Sequence, residues 1–193
     1  MTILADSAIK QYLREGRLRI DPLNPEHIGP ASLDLRLSSE LEIMTCTGDT
    51  EDPANVLDTR GGSSQSCAYT ERRSMGPAGF LLRPGAFVLG STMETVCFPR
   101  DLCANVTGRS SVGRLGVAIH VTAGFIDPGF AGQITLEIVN LGCRAVKLYA
   151  GSRVCQLVLS KLYGFCEEPY GERVGSKYQN QQGPTLSRIA DDM

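Results

Sequence analysis

Between Phe80 and Leu159 the apolar positions come in short bursts, each broken within a few residues by glycine, proline or charge. That rhythm belongs to strands and turns and carries no sustained helical repeat. Phe80-Leu81-Leu82 and Phe87-Val88-Leu89 flank Arg83-Pro84-Gly85-Ala86, which reads as a turn. Further short strands are predicted from Leu102 to Val106, Val117 to Val121, Gln133 to Val139, Ala145 to Tyr149 and Val154 to Leu159. Upstream, Ser32-Leu33-Asp34-Leu35-Arg36-Leu37 alternates polar and apolar side chains, the two-residue period of a strand with one buried face. One short helix is predicted near the start. Asp6 or Ser7 caps it, Ile9, Tyr12 and Leu13 share a face, and Gly16 stops it just after Glu15. One helix followed by many short strands predicts a mainly β fold, a β-barrel or jelly-roll-like sandwich.

Two stretches fall outside this rhythm. From about Thr45 to Gly79 the chain is rich in Gly, Ser, Asp and Thr and reads as a long surface excursion with room for short strands. From Glu167 it is polar, bears glycine and lacks core residues, so composition alone describes a solvated, disordered tail. No internal repeat is present.

Composition narrows the functional classes. The chain has 193 residues, enough for one domain with a real core. Its formal net charge is −2, which argues against nucleic acid as a partner, since neutralising phosphates along a strand needs a basic field. No apolar run is long enough for a membrane span and the first residues lack a signal-peptide core, so a cytoplasmic location is expected. Seven cysteines form no C-x-x-C pair, and reduced, mostly buried thiols are expected.

The familiar zinc signature of nucleobase deaminases, H-x-E followed by P-C-x-x-C, is absent, and the two histidines, His27 and His120, stand near no cysteine pair. No G-x-S-x-G elbow and no dinucleotide or Walker-type glycine loop occurs. Gly108-Arg109-Ser110-Ser111-Val112-Gly113-Arg114 combines arginine forks, hydroxyls and glycines, the ingredients of a phosphate cradle. On composition alone the plainer reading, a polar turn leading into Leu115-Gly116-Val117, is favoured. Asp127 sits between Gly124 and Pro128-Gly129, placed either to meet a sugar hydroxyl or water or to bond its own turn backbone. In Ile134-Thr135-Leu136-Glu137-Ile138-Val139-Asn140, Ile134, Leu136 and Ile138 share one strand face and Thr135, Glu137 and Val139 the other. Burial of the second face would favour the protonated carboxyl, as a proton shuttle needs. A solvated edge-strand glutamate is the plain alternative. In the tail, lysine, tyrosine and glutamine between Pro169 and Pro184 suit either a closing lid or a solvated segment.

Taken in order, GRSSVGRLG at 108–116, HVTAGFIDPGFAGQITLEIVN at 120–140 and GSKYQNQQGP at 175–184 resemble the dCTP deaminase family, which is related to the trimeric dUTPases. Weaker similarity runs through Pro30 to Leu37, and only the excursion at 45–79 stays outside it. The resemblance implies a single dUTPase-like domain over 1–193, a homotrimer with sites at subunit interfaces, and residues 167–193 as a C-terminal lid. It implies magnesium bound through the triphosphate, with no metal held by the chain and no zinc. Glu137 resembles the proton shuttle, Ser110 and the carbonyl of Ala123 the groups that position water, and Arg114 the cation beside the reacting centre. Arg109, Ser111, Val112, Gly113, Asp127, Thr135, Leu136, Gln156, Tyr170, Lys177 and Gln181 resemble nucleotide contacts.

The family holds enzymes that release dUTP and bifunctional ones that continue to dUMP and diphosphate. Gly124-Phe125 departs from the histidine and arginine of the dUTP-releasing type, and Gly124-Phe125-Ile126-Asp127 is similar to the dUTPase water-holding motif. Arg153-Val154-Cys155-Gln156-Leu157 resembles the dUTPase R-I-x-Q-L segment, with Gln156 on the phosphate side. The expectation is therefore dCTP to dUMP, diphosphate and ammonia, with dTTP as a feedback inhibitor. A deaminase that stops at dUTP, a plain dUTPase and a non-catalytic nucleotide-binding regulator are the alternatives. Phe130 where dUTPases carry tyrosine, and the presence of Glu137, argue against the last two.

Overall fold

A computed structural model of the chain describes residues 2–45, 56–60 and 69–192. Strand β1 (Thr2–Ile3) leads into helix α1 (Asp6–Arg14), then come β2 (Arg19–Asp21), β3 (Leu33–Arg36) and β4 (Glu40–Met44). After the excursion follow β5 (Thr70–Ser74), β6 (Phe80–Leu82), β7 (Phe87–Cys97) and β8 (Leu102–Gly108). A one-turn helix, α2 (Ser110–Gly113), precedes β9 (Val117–Ala118), β10 (Phe125–Ile126), β11 (Ala131–Asn140), β12 (Val146–Leu148) and β13 (Arg153–Lys161). The mainly β expectation holds. The described strands pair antiparallel in two larger sheets and one small one. The first runs β1-β13-β8-β10 with β3 also on β13, the second β5-β4-β7-β11-β9 with β2 also on β7, and β12 pairs with β6.

Alternation decides which residues fill the space between the sheets. On β11, Ile134, Leu136 and Ile138 are buried, while Gln133, Thr135, Glu137 and Val139 are half-exposed. Leu33, Leu35, Leu157 and Leu159 do the same for the first sheet, and all join one apolar cluster. Each such side chain contributes about 1.5–3 kcal/mol on leaving water. One ion pair crosses between the sheets. Arg36 on β3 meets Glu94 on β7 at 2.6 Å through Nε, and its backbone N–H donates to the other oxygen at 2.9 Å. Glu94 is 2% exposed, and these bonds satisfy both its oxygens.

Four expectations are corrected. Helix α1 has Ala5 at its N-cap with no side-chain cap, where Asp6 or Ser7 was expected. The helix starts a residue earlier than expected: the Ala5 carbonyl accepts from the Ile9 N–H at 3.0 Å, and the Asp6 N–H is satisfied by the Pro30 carbonyl at 2.8 Å. Gly16 ends the helix as expected, in the left-handed region at φ +68°. The strand expected over Val117 to Val121 pairs only through Val117–Ala118, since the chain then turns off toward Glu137. The tail is not a loose segment. Asn180 donates to the Ala131 carbonyl at 2.7 Å and Gln133 to the Gln181 carbonyl at 3.0 Å, so it lies along β11. The thiols are less buried than expected: Cys103 and Cys155 are buried, Cys97 and Cys166 half-buried and Cys143 exposed, all of them free. Cys46 and Cys67 lie outside the described residues, as does much of the excursion, whose described part includes β5. Among the described residues no helix is long and apolar enough to cross a membrane.

Candidate active site

Strand β11 carries Glu137 on the face turned away from the core. Register puts it opposite Leu89 of β7, a strand bonded along most of its length. That rigid seat is what a reacting group needs. Its carboxylate is half-buried, so the burial expected for that face is partial. Thr122 grips the Oε2 oxygen twice, from its backbone N–H at 3.0 Å and its hydroxyl at 2.8 Å. The backbone N–H of Glu137 points to His120 Nδ1 at 3.5 Å.

Glu137 lines a cavity of about 610 Å³, a volume suited to a nucleotide-sized ligand. Phe87 and Leu89 of β7, Met44 of β4 and Phe130 form apolar wall, and Thr135 stands two positions from Glu137 on the same face. Phe125 enters from β10, and Ala123 and Asp127 from the segments on either side of it. Asp127 is exposed there, and its turn is closed through its backbone carbonyl, which accepts from the Phe130 N–H at 3.2 Å. The carboxylate is thus not consumed by the turn. Gly124 lines a neighbouring depression together with Ala123 and Asp127, and its carbonyl accepts from the Val106 N–H at 2.7 Å.

The tail completes the cavity. Tyr170, Tyr178, Gln181, Thr185, Leu186 and Ser187 line it. Tyr170 packs its ring against Phe130 at 5.7 Å between centroids, and its hydroxyl accepts from the Tyr178 N–H at 2.9 Å. Gln181 donates to the Gln133 carbonyl at 2.7 Å. Of the residues singled out in sequence, Glu137, Ala123, Phe125, Asp127, Thr135, Tyr170 and Gln181 therefore converge on one cavity.

The others stand elsewhere in the chain. Arg109 precedes α2, while Ser110, Ser111, Gly113 and Arg114 are exposed on or beside it and Val112 packs toward the core. The Arg109 guanidinium is held by Asp34 at 3.1 Å. Gln156 sits on β13 opposite Asp34 and Thr107, on the half-exposed face of the first sheet. Lys177 is half-buried in the tail. Leu136 turns its side chain into the core, opposite Glu137, which leaves only its backbone for a ligand. None of these lines the Glu137 cavity.

Sequence reasoning assigned no role to Thr122, His120, Leu186 or the apolar walls from β4 and β7. Thr122 lies 15 positions from Glu137 across a turn, and nothing local announces the pairing.

Comparison with known proteins identifies the family. The family model described as dCTP deaminase-like matches residues 3–162. A Dictyoglomus thermophilum protein named dCTP deaminase, dUMP-forming, is 46% identical over 192 residues, covering 98% of this chain and 96% of its own. A Natronomonas pharaonis protein named dCTP deaminase is 46% identical over 193 residues, again covering 98% and 96%. Among solved structures, the 2′-deoxycytidine 5′-triphosphate deaminase of Agrobacterium tumefaciens matches with a TM-score of 0.62 at 25% identity. The match covers 82% of this chain and 46% of that one, so this chain spans about half its length.

Proposed function

This chain belongs to the dCTP deaminase-like family, and from that premise we propose that it converts dCTP and two waters to dUMP, diphosphate and ammonia in one site. The observation that carries the reading is Glu137, seated on a rigid strand at the wall of a nucleotide-sized cavity and held through one oxygen by Thr122.

The chemistry follows from what a carboxylate in that position can do. Water attacks C4 of the cytosine ring. Glu137 takes a proton from that water and delivers it to the ring nitrogen; it then takes the proton of the new C4 hydroxyl and passes it to the amino group, which leaves as ammonia as the C4 carbonyl forms. Ser110 and the Ala123 carbonyl orient the water, so that fixed geometry lowers the barrier. Arg114 offsets charge that develops at the reacting centre.

Ser110 and Arg114 do not line the cavity of their own chain. We therefore place them in the site of a neighbouring copy, within a homotrimer of dUTPase-like subunits. Exposed Leu115, Val121 and Leu141 near this segment suit such an interface. Arg109, Ser111, Val112, Gly113 and Gln156 then face the triphosphate, and Lys177 closes over it with the tail. Magnesium comes with the triphosphate as its counter-ion. Among the described residues no three of His, Cys, Asp and Glu gather to hold an ion themselves, whereas magnesium characteristically uses phosphate oxygens and water.

In the second half-reaction a water on the Asp127 side attacks the α-phosphorus and diphosphate leaves. Gly124 lets that loop lie against Val106, whose carbonyl oxygen would stand only 2.9 Å from a Cβ there. dTTP, which shares the sugar and triphosphate, is proposed to compete at the same site, and dUMP to supply thymidylate synthesis.

Incubation with dCTP and magnesium, with products resolved by chromatography, tests both halves. Equal dUMP, diphosphate and ammonia are expected. Accumulating dUTP without diphosphate would reduce the reading to a deaminase, the activity that the name of the Natronomonas relative states. Tight dCTP binding without ammonia would leave a nucleotide-binding regulator.

A further inference from the structure

Two adjacent residues of the tail are tied to different walls of the cavity. Pro184 offers its carbonyl to Arg72 Nη2 of β5 at 3.2 Å. Thr185 donates its N–H to Thr135 Oγ1 of β11 at 3.2 Å. From this doubly held peptide onward Thr185, Leu186 and Ser187 face the cavity that holds Glu137. The tail is thus a strap with two fastenings.

The fastenings differ in kind. Arg72 is itself anchored: its Nε meets Glu42 Oε1 on β4 at 2.6 Å, and Glu42 is only 5% exposed. A buried carboxylate deprived of its cation is strongly unfavourable, so Arg72 stays with Glu42 whether or not the strap is down. Its second arm reaches a neutral carbonyl from a side chain that is 59% exposed, and such a bond is modest. The strong bond fixes the guanidinium, and the weak one can open.

From this geometry we propose that Arg72 is a positioning residue for nucleotide binding, a fixed post that sets how firmly the strap closes over the cavity. The proposal rests on reading that cavity as the dCTP site. It also ties part of the polar excursion to the site, because β5 emerges from it.

The test uses the full chain with Arg72→Lys. Lysine keeps a cation beside Glu42 but lacks the planar fork that serves two acceptors at once. KM for dCTP should rise about 2- to 10-fold, the factor one modest hydrogen bond represents, with kcat little changed. Trypsin cleavage in the tail, after Arg173 or Lys177, should accelerate by a similar factor while the melting temperature holds. Unchanged KM and unchanged cleavage overturn the proposal. So does a lower melting temperature with both of these unchanged, since Arg72 would then serve only Glu42. If the unaltered protein releases no ammonia from dCTP, the functional reading falls, yet the cleavage rate still decides the role of Arg72.

Discussion

Thr122 donates twice to a single oxygen of Glu137, through its N–H at 3.0 Å and its hydroxyl at 2.8 Å. The carboxylate cannot swing while both bonds hold, and its other oxygen is left for a ligand. Glu137→Gln keeps the shape and removes the capacity to carry a proton. Ammonia release from dCTP should fall by about 10²- to 10⁴-fold, the usual contribution of a general acid–base residue. Calorimetric binding of dCTP should stay close to that of the unaltered protein. Surviving turnover would show that another group moves the protons.

Thr122→Val isolates the hydroxyl, because the backbone donor remains. A hydrogen bond to a charged group contributes about 1.5–3 kcal/mol, which corresponds to roughly 10-fold or more in kcat if positioning is what it supplies. KM should move little. Single-turnover ammonia release measures this, and an unaltered rate would mean that the backbone N–H suffices.

Asp101 predicts an acid-sensitive fold. It is 3% exposed and accepts from the Tyr12 hydroxyl at 2.7 Å and the Arg17 guanidinium at 2.6 Å, fastening α1 and the segment after it to the start of β8. Burial alone would push its carboxyl up, but those two hydrogen bonds and the Arg17 charge hold it below the ordinary carboxylate range. A group depressed in the folded state adds stability above its unfolded value, near 3.9, and loses it as pH falls through the folded one. Asp101→Asn should therefore cost about 1–3 kcal/mol at neutral pH, with the difference shrinking below about pH 4. Urea melts across that range are the measurement. A difference independent of pH would mean that the charge of Asp101 contributes nothing.

The face of Glu137 was legible because a two-residue period is a local property: Ile134, Leu136 and Ile138 must go inward together, so Glu137 goes outward. Thr122 was not legible as its partner, since the reversal through Asp127 and Phe130 that joins them is a property of the folded chain. The tail misled for a similar reason. Its polarity describes a solvated strand of chain, but Gln179 and Gln181 find their partners in the backbone of β11. The α1 cap was misplaced because contact with Pro30, distant in sequence, holds the Asp6 N–H and the helix already has its N-cap at Ala5, which has no capping side chain to signal it. Nothing local marks Arg72, because its partner Glu42 is brought opposite it only by the pairing of β4 with β5.

At Gly132 the tail packs close against β11. Its φ is +141°, and a Cβ there would lie 3.0 Å from the Gln181 nitrogen and 3.1 Å from its carbonyl oxygen. Gly132→Ala therefore strains the backbone, by about 1–3 kcal/mol, and pushes against the tail. Faster trypsin cleavage of the tail and a raised KM for dCTP are expected. A variant with a lower melting temperature but wild-type cleavage would show that β11, and not the tail, absorbs the change.

Gly124 is predicted to matter more to the second proposed half-reaction than to the first. Its carbonyl is bonded to the Val106 N–H at 2.7 Å, and an added Cβ would lie 2.9 Å from the Val106 oxygen and 3.4 Å from His120 Cδ2. The Val106 contact is with backbone, so Gly124→Ala must shift the loop itself. Asp127 lies three residues beyond Gly124, past β10, whereas Thr122, two residues before it, is held to Glu137 on β11 by two hydrogen bonds. The shift should thus displace Asp127 more than the Glu137 pair. A displacement of about 1 Å can lower a rate by up to about 10²-fold, so diphosphate release should fall well below ammonia release and dUTP should accumulate. Product ratios from dCTP measure the partition directly. If ammonia and diphosphate decline together, the loop holds both waters, and Gly124 does not divide the two reactions.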